Sequence, residues 1–227
     1  MPHPANDRPP HWFSECSKRL MHLWFYKATG TALFTAIFFY SYFAVLKSPI
    51  YPVTIMATTA VDDWIAFWPP AFYIYASLWV YTALVPALQP TLLRLLGYGC
   101  GIGLLCLTGL VVFVFFPTAV PFSSTDWLTA PALALLRQID LSGNACPSLH
   151  VATAIFTGLC LQRVLSSLAC PRWLLAANWV WCVLIVYSTM AIKQHVMWDV
   201  LAGILLALVF GWFYPKFEKQ LGAAQLR

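Results

Sequence analysis

Two histidines and one aspartate lie inside apolar stretches, where an ionisable side chain is costly. His150 lies in the stretch NACPSLHVATA, and His195 is followed four residues later by Asp199. Four residues make about one helical turn, so this imidazole and this carboxylate can meet on one face. A carboxylate on one imidazole nitrogen leaves the other free as a nucleophile, and a second histidine can act as general acid. The pattern predicts nucleophilic catalysis. The alternative is that His195 and Asp199 only tie two helices together while His150 caps a loop.

The residues just before His150 favour a phosphate site. Proline is preferred at the first helical position, so Pro147 is predicted to begin a helix. The backbone N–H groups of Ser148, Leu149 and His150 would then be free at the helix N-terminus, beside the Ser148 hydroxyl. A helix N-terminus of this kind binds phosphate well. The predicted chemistry is phosphoryl transfer, with Ser148 and Leu149 as phosphate-binding residues.

The composition places these residues in a membrane. Of 227 residues, 61% are hydrophobic and 9% are charged, whereas about 25% are charged in an average soluble domain. The net charge of +5 comes from bases scattered singly between apolar runs, which argues against a nucleic-acid interface. The seven cysteines form no CxxC pair and show no metal-ligand spacing, so neither a disulfide framework nor a metal site is predicted.

Six apolar runs approach the length of about 20 residues that a membrane-spanning helix needs. They are residues 25–46, 69–88, 95–116, 147–165, 173–190 and 195–214. We therefore predict an all-α integral membrane protein with a bundle of six transmembrane helices. Residues 25–217 would form the membrane domain, with cytoplasmic tails at residues 1–24 and 218–227. The first run is longer than a signal-peptide core and no small-residue cleavage site follows it, so we expect it to be retained.

The basic residues predict the orientation of this bundle. Ten lysines and arginines lie in the tails and in alternate loops, whereas the opposite loops hold only Lys47, Arg137 and Lys193. Because loops rich in bases stay in the cytoplasm, both termini are predicted to be cytoplasmic. His150 and His195 then lie at the outer ends of the fourth and sixth spans. The expected location is an inner or plasma membrane, with the active site facing the periplasm or the exterior.

Two motifs resemble signatures of the type 2 phosphatidic acid phosphatase superfamily. CPSLHVA is similar to the signature P-S-G-H, and STMAIKQHVMWDVLAG is similar to Ser-Arg followed by five residues, His, three residues and Asp. The matching residues are Pro147, Ser148, His150, Ser188, His195 and Asp199. Leu149 in place of glycine, and KQH before the aspartate, resemble the branch of inositol phosphorylceramide synthases and sphingomyelin synthases. FFPTAVPF also resembles the FPTAPPR loop of bacterial members, and the whole resemblance covers residues 62–213.

This resemblance implies a role for each residue of the motifs. His195 would be the nucleophile that becomes phosphorylated, Asp199 its partner and His150 the general acid. The resemblance also implies six helices with the site at the outer face, a lipid-phosphate substrate in the membrane, and no metal or cofactor.

The cations that hold phosphate in this superfamily are missing from their usual positions. The first signature, a lysine followed by six residues and Arg-Pro, does not occur in the chain. Phe122 replaces the arginine of the FPTAPPR loop, and Thr189 replaces the arginine that follows the signature serine. A phosphoryl transition state needs positive charge beside it, so other cations have to supply that charge.

Lys193 and Arg137 are the candidates for this positive charge. Lys193 lies two residues before the proposed nucleophile, and Arg137 lies in the loop that leads to CPSLH. Arg137 can alternatively pair with Asp126 or Asp140. Together with Ser188 of the second motif, these cations complete the predicted phosphate-binding set.

The expected function is hydrolysis of a lipid phosphate through a phosphohistidine intermediate. A phosphatase is favoured because 227 residues leave little beyond six helices to shape a second substrate site. One alternative is a lipid head-group phosphotransferase, in which an alcohol replaces water as the acceptor. An alternative of another class is a degenerate family member without enzymatic activity that serves in lipid transport or assembly.

Overall fold

The computed structural model describes residues 11–47, 49–121 and 143–224, and most of these residues are helical. The helices are α1 (His11–Met21), α2 (Trp24–Lys47), α3 (Ala60–Trp64), α4 (Ala71–Ala76), α5 (Leu78–Ala87), α6 (Leu92–Phe115), α7 (Leu149–Ser167), α8 (Arg172–Ala191) and α9 (Met197–Ala224). Two short strands, β1 (Thr54–Ile55) and β2 (Thr118–Ala119), lie in loops between helices.

Five helices of the described chain are long and apolar enough to cross a bilayer: α2, α6, α7, α8 and α9. The prediction of an all-α membrane protein is therefore confirmed. The second predicted span, residues 69–88, instead forms the two shorter helices α4 and α5. Residues 71–87 rise by about 26 Å at about 1.5 Å per residue, which is less than the ~30 Å hydrocarbon core of a bilayer.

Ser77 joins α4 to α5 with helical backbone angles and is hydrogen-bonded through its side chain. The Ser77 hydroxyl donates to the Ile74 carbonyl over 2.6 Å and accepts from the indole N–H of Trp181 over 2.8 Å. The start of α4 is held as well, because the Trp68 amide donates to the carbonyl of Ala191, the last residue of α8, over 2.9 Å. Helix α4 is thus attached to α8 near both of its ends.

Helix α7 lies at the centre of the bundle and α2 at its edge. In the apolar window of α7, 56% of residues are buried inside the protein, against 6% in α2. Buried polar side chains join α7 to its neighbours: Tyr81 donates to the Asn178 side-chain oxygen (2.6 Å), and the Asn178 amide donates to the Gly158 carbonyl (3.1 Å). These groups satisfy one another without water, as a membrane interior requires.

Three loop segments meet at the end of the bundle where α7 and α9 begin. Strands β1 and β2 pair in parallel, with Thr54 opposite Thr118 and Ile55 opposite Ala119. Thr118 also forms a bridge with Asn144, just before α7. This small sheet links the loops that follow α2 and α6 to the segment that carries CPSLH.

The opposite end of the bundle holds most of the described basic residues. The Lys27 ammonium donates to the carbonyl of Ala87 over 2.8 Å and to that of Arg19, so it joins the ends of α1 and α5. Arg94, at the start of α6, pairs with Glu218 near the end of α9 over 3.6 Å. Helix α9 continues to Ala224, past residue 217, where the membrane domain was predicted to end.

Candidate active site

The helix that carries His150 begins with a serine cap. Helix α7 starts at Leu149, and the Ser148 hydroxyl accepts a hydrogen bond from the Val151 amide over 3.2 Å. The prediction that Pro147 occupies the first helical position is therefore wrong: Pro147 precedes the cap. The reason is local, because a serine side chain satisfies a free amide of the first turn, which proline cannot do.

Thr118 holds the segment before this cap in place. Its amide donates to the Gly143 carbonyl over 3.3 Å, and its carbonyl accepts from the Ala145 amide over 3.0 Å. Its hydroxyl accepts from the Cys146 amide over 2.8 Å. Sequence reasoning did not single out Thr118, although it lies in the FPTA stretch that resembles family members.

Helix α9 approaches the start of α7 very closely. The Ser148 amide donates to the Asp199 carbonyl over 3.0 Å. A Cβ on Gly203 would lie 2.6 Å from the Ser148 carbonyl oxygen, so only glycine fits at this contact. The Ser148 amide is thus not free for phosphate, contrary to prediction. Among the described residues, the amides of Leu149 and His150 have no protein acceptor.

The leucine that replaces the family glycine points into the bundle. Leu149 is buried, and a Cβ on Gly109 of α6 would lie 2.5 Å from its Cδ2 atom. The leucine side chain therefore packs into the space that a glycine of α6 leaves open. If Leu149 contacts phosphate, it does so through its backbone amide.

A left-handed turn places His195 after α8. Lys193 has a φ of 56°, and the amides of Gln194 and His195 both donate to the Thr189 carbonyl, over 3.0 and 3.2 Å. This is the usual way for a helix to end when a residue adopts the left-handed conformation. Ser188 is fully buried, and its hydroxyl donates to the Ile185 carbonyl over 2.6 Å, so here it stabilises the last turns of α8.

His195 and Asp199 form a buried pair. The His195 Nδ1 atom lies 2.9 Å from Asp199 Oδ2, and the two side chains are 7% and 0% exposed. An ionised carboxylate can only accept, so Nδ1 carries the proton and the Nε2 atom of neutral His195 keeps its lone pair. The two side chains meet, as their spacing predicted, and Nε2 is left with the lone pair that a nucleophile needs.

His150 faces this nucleophilic nitrogen. Its Nδ1 atom lies 3.3 Å from His195 Nε2, and the two rings are 5.5 Å apart between centroids. The other ring nitrogen, Nε2, lies 2.6 Å from the hydroxyl of Tyr75 on α4. No feature of the sequence pointed to Tyr75, because one aromatic residue in an apolar run is ordinarily part of the core.

The Lys193 ammonium is hydrogen-bonded to α3 rather than to the histidines. It donates to the carbonyl of Asp62 over 2.6 Å and to that of Ile65. The Asp62 carboxylate in turn accepts from the amide of Met197, the first residue of α9, over 2.8 Å. Helix α3 is therefore hydrogen-bonded to Lys193, which precedes His195, and to Met197, which follows it. The Thr59–Asp62 spacing resembles a capping box, a signal that could have singled out Asp62.

Of the two predicted cations, Arg137 lies outside the described residues. Cys146 is followed directly by Pro147, and burial, followed by the nearby Asp199 carboxylate, raises the pKa of its thiol. A thiol with a raised pKa stays protonated and is a poor nucleophile, so His195 remains the candidate nucleophile.

Comparison with known proteins agrees with the geometry. The PAP2 superfamily matches residues 106–222 of the chain, a range that includes His150, His195 and Asp199. No curated protein and no solved structure is significantly similar to the chain. The match spans more than half of the 227 residues and both motifs. The chain therefore belongs to the PAP2 superfamily, whose members are phosphatases and phosphotransferases.

Proposed function

We propose that the protein is a membrane lipid-phosphate phosphatase that works through a phosphohistidine at the outer membrane face. The observation that carries this proposal is the contact of His195 with both Asp199 and His150, over 2.9 and 3.3 Å. Membership of the superfamily supports phosphatase-type chemistry in general. The apolar helices around the site favour a substrate that arrives through the membrane.

The first step would transfer the phosphoryl group to the enzyme. The His195 Nε2 lone pair attacks phosphorus, an N–P bond forms and the bond from phosphorus to the lipid oxygen breaks. His150, protonated at this stage, gives its Nδ1 proton to the departing oxygen. The substrate phosphoryl group has to enter between the two ring nitrogens and replace their direct contact.

The second step would release the phosphoryl group. Neutral His150 takes a proton from water through Nδ1, and the water oxygen attacks phosphorus as the P–N bond breaks. Asp199 stabilises the positive charge that the His195 ring carries while its Nε2 atom is bonded to phosphorus. If a lipid alcohol enters instead of water, the same step makes a phosphotransferase.

The phosphate would be held by the start of α7 and by a nearby cation. The amides of Leu149 and His150 point to the N-terminal side of α7, where the helix dipole favours an anion. Lys193 and Arg137 stay predictions as phosphate ligands, and Lys193 would have to leave the carbonyl groups of Asp62 and Ile65 first.

The outer-face location is supported by the distribution of described bases. Those at the end opposite the site are Lys18, Arg19, Lys27, Arg94, Arg163, Arg172, Lys216 and Lys219, and those at the site end are Lys47 and Lys193. Because basic residues are retained on the cytoplasmic side, this asymmetry favours a site that faces outward.

The test is turnover of a lipid-phosphate panel by the purified protein. Wild type should release inorganic phosphate and form an acid-labile phosphohistidine. His195→Gln should reduce both the rate of phosphate release and the amount of phosphohistidine by about 10³-fold or more. Adding lipid alcohols shows the acceptor: a labelled lipid product in place of phosphate would identify a phosphotransferase. Absence of both turnover and phosphohistidine in wild type would favour the non-enzymatic alternative.

A further inference from the structure

The Tyr75 hydroxyl is the partner of His150 on the side away from the nucleophile. The O–N distance of 2.6 Å to His150 Nε2 is short, and the two rings lie 4.7 Å apart between centroids at 35°. Tyr75 is 4% exposed, so bulk water has little access to its contact with the imidazole.

Several contacts fix the position of Tyr75. It packs in a small apolar cluster with Ala71 of its own helix and with Ala191 and Ile192 at the end of α8. The hydrogen bond from Trp68 to Ala191 and the Trp181–Ser77 pair hold the two ends of α4 against α8. Tyr75 and the turn that carries His195 are therefore supported by the same end of α8.

The directions of these hydrogen bonds follow from the contact between His195 and Asp199. His195 Nδ1–H donates to Asp199, so His195 Nε2 accepts from His150 Nδ1–H. In neutral His150 the Nε2 atom is then unprotonated and accepts from the Tyr75 hydroxyl. In the phosphohistidine intermediate, neutral His150 has given up its Nδ1 proton and keeps the proton on Nε2, which then donates to the Tyr75 oxygen.

We propose that Tyr75 is a positioning residue that holds the ring orientation of the general acid His150 in each of its protonation states. A phenol hydroxyl both donates and accepts, so it can remain bonded to Nε2 when His150 gains or loses its proton. In the resting neutral state Tyr75 donates to Nε2, and in the protonated state and the phosphohistidine intermediate Nε2–H donates to Tyr75. In each state Nδ1 stays directed towards the phosphoryl site. Only the kinetic consequence of this inference rests on the proposed function.

The first experiment is independent of turnover. Nitrogen-15 NMR of histidine-labelled full-length protein in detergent micelles should show neutral His150 with its proton on Nδ1. Tyr75→Phe keeps the ring and removes the hydroxyl, and it should move the resonance of the unprotonated His150 Nε2 downfield, towards that of an imidazole nitrogen without a hydrogen bond. Tyr73→Phe is the matched control, because Tyr73 lies on the same helix and is 78% exposed. An Nε2–H tautomer in wild type, or an unchanged spectrum in Tyr75→Phe, would overturn the proposal.

The second experiment uses the leaving group. General acid catalysis matters for an alkoxide and little for a nitrophenolate, so dodecyl phosphate is compared with a nitrophenyl phosphate that carries an alkyl chain. Tyr75→Phe should lower kcat/KM, which reports only the step that releases the leaving group, by about 10- to 100-fold for dodecyl phosphate and by less than about 3-fold for the nitrophenyl phosphate. Equal losses on both probes, or none, would contradict the positioning role. If wild type cleaves neither probe, the proposed function fails while the NMR result still decides whether Tyr75 donates to His150.

Discussion

At the scale of the residue, Lys193 is the side chain whose role the geometry makes most specific. Its ammonium donates to the carbonyls of Asp62 and Ile65, at the end of α3. Its backbone has a φ of 56°, in the turn that leads to His195. The same residue therefore shapes the turn and fastens α3 to it, whereas a phosphate ligand would need the ammonium to be released.

We expect Lys193→Met to lower both stability and activity. Hydrogen bonds from a charged group contribute about 1.5–3 kcal/mol, so the unfolding temperature should fall by about 5 °C. Displacement of the turn should lower kcat/KM by about 10²-fold. Thermal unfolding in detergent and steady-state kinetics measure the two effects.

Lys47→Met is the matched control for this change, because Lys47 is an exposed lysine at the same end of the bundle. Lys47→Met should leave the unfolding temperature and kcat/KM unchanged. A loss of activity in Lys193→Met without any change in unfolding temperature would instead assign Lys193 to the phosphate, as the sequence predicted. Unchanged kinetics would remove it from the site in either role.

At the scale of the element, the site depends on how closely α9 approaches the start of α7. Gly203 lies against the Ser148 backbone, and the Asp199 carbonyl accepts from the Ser148 amide. His150 lies at the start of α7 and His195 just before α9. Their ring nitrogens can be 3.3 Å apart only if the two helices keep this close approach. Backbone atoms cannot rotate away as a side chain can, so the contact tolerates little change.

Gly203→Ala should therefore separate the two helix starts. The new Cβ would lie 2.6 Å from the Ser148 carbonyl oxygen, and the shift needed to relieve this overlap should lower kcat by about 10²-fold. Phosphate release and the phosphohistidine level measure the effect.

Gly99→Ala provides the comparison, since a Cβ on Gly99 of α6 would have no atom within 4 Å. Alanine is favoured over glycine inside a helix, so this control should keep full activity and equal or greater stability. Wild-type activity in Gly203→Ala would show that the close approach of α9 is not required.

At the scale of the whole molecule, charge separates the two ends of the bundle. Most described bases lie at the end where α2 begins and α9 ends, and the histidine cluster lies at the other end. From this asymmetry the positive-inside rule predicts that the site faces outward. An outward site would act on lipid phosphates of the outer leaflet, where water is available to accept the phosphoryl group.

Cysteine labelling of intact cells tests this orientation. In a cysteine-free variant, a thiol at Ile50 should react with a membrane-impermeant maleimide, because Ile50 is 70% exposed at the site end. A thiol at Lys18, exposed on α1 at the opposite end, should react only after lysis. The reverse pattern would place the site in the cytoplasm and refute the outer-face proposal.

Local spacing was sufficient for part of the site. The pairing of His195 with Asp199 was predictable because four residues on one helix bring two side chains together. The approach of His150 to His195 could be expected because the fourth and sixth spans were predicted to have these histidines at their outer ends. By contrast, the second predicted span is shorter than the other five, and no local pattern indicated that Ser77 would accept a hydrogen bond from Trp181 of α8.

By itself, the sequence determined the helical membrane class, the superfamily and the histidine–aspartate pair, because composition and short spacings act locally along the chain. Only the tertiary structure decided the partners of that pair. Tyr75 meets His150 across 75 residues, and Asp62 caps Met197 across 135. Such contacts depend on how whole helices pack and where their side chains point, and no local pattern records either. The same packing turned Lys193, predicted as a phosphate ligand, towards the carbonyls of α3.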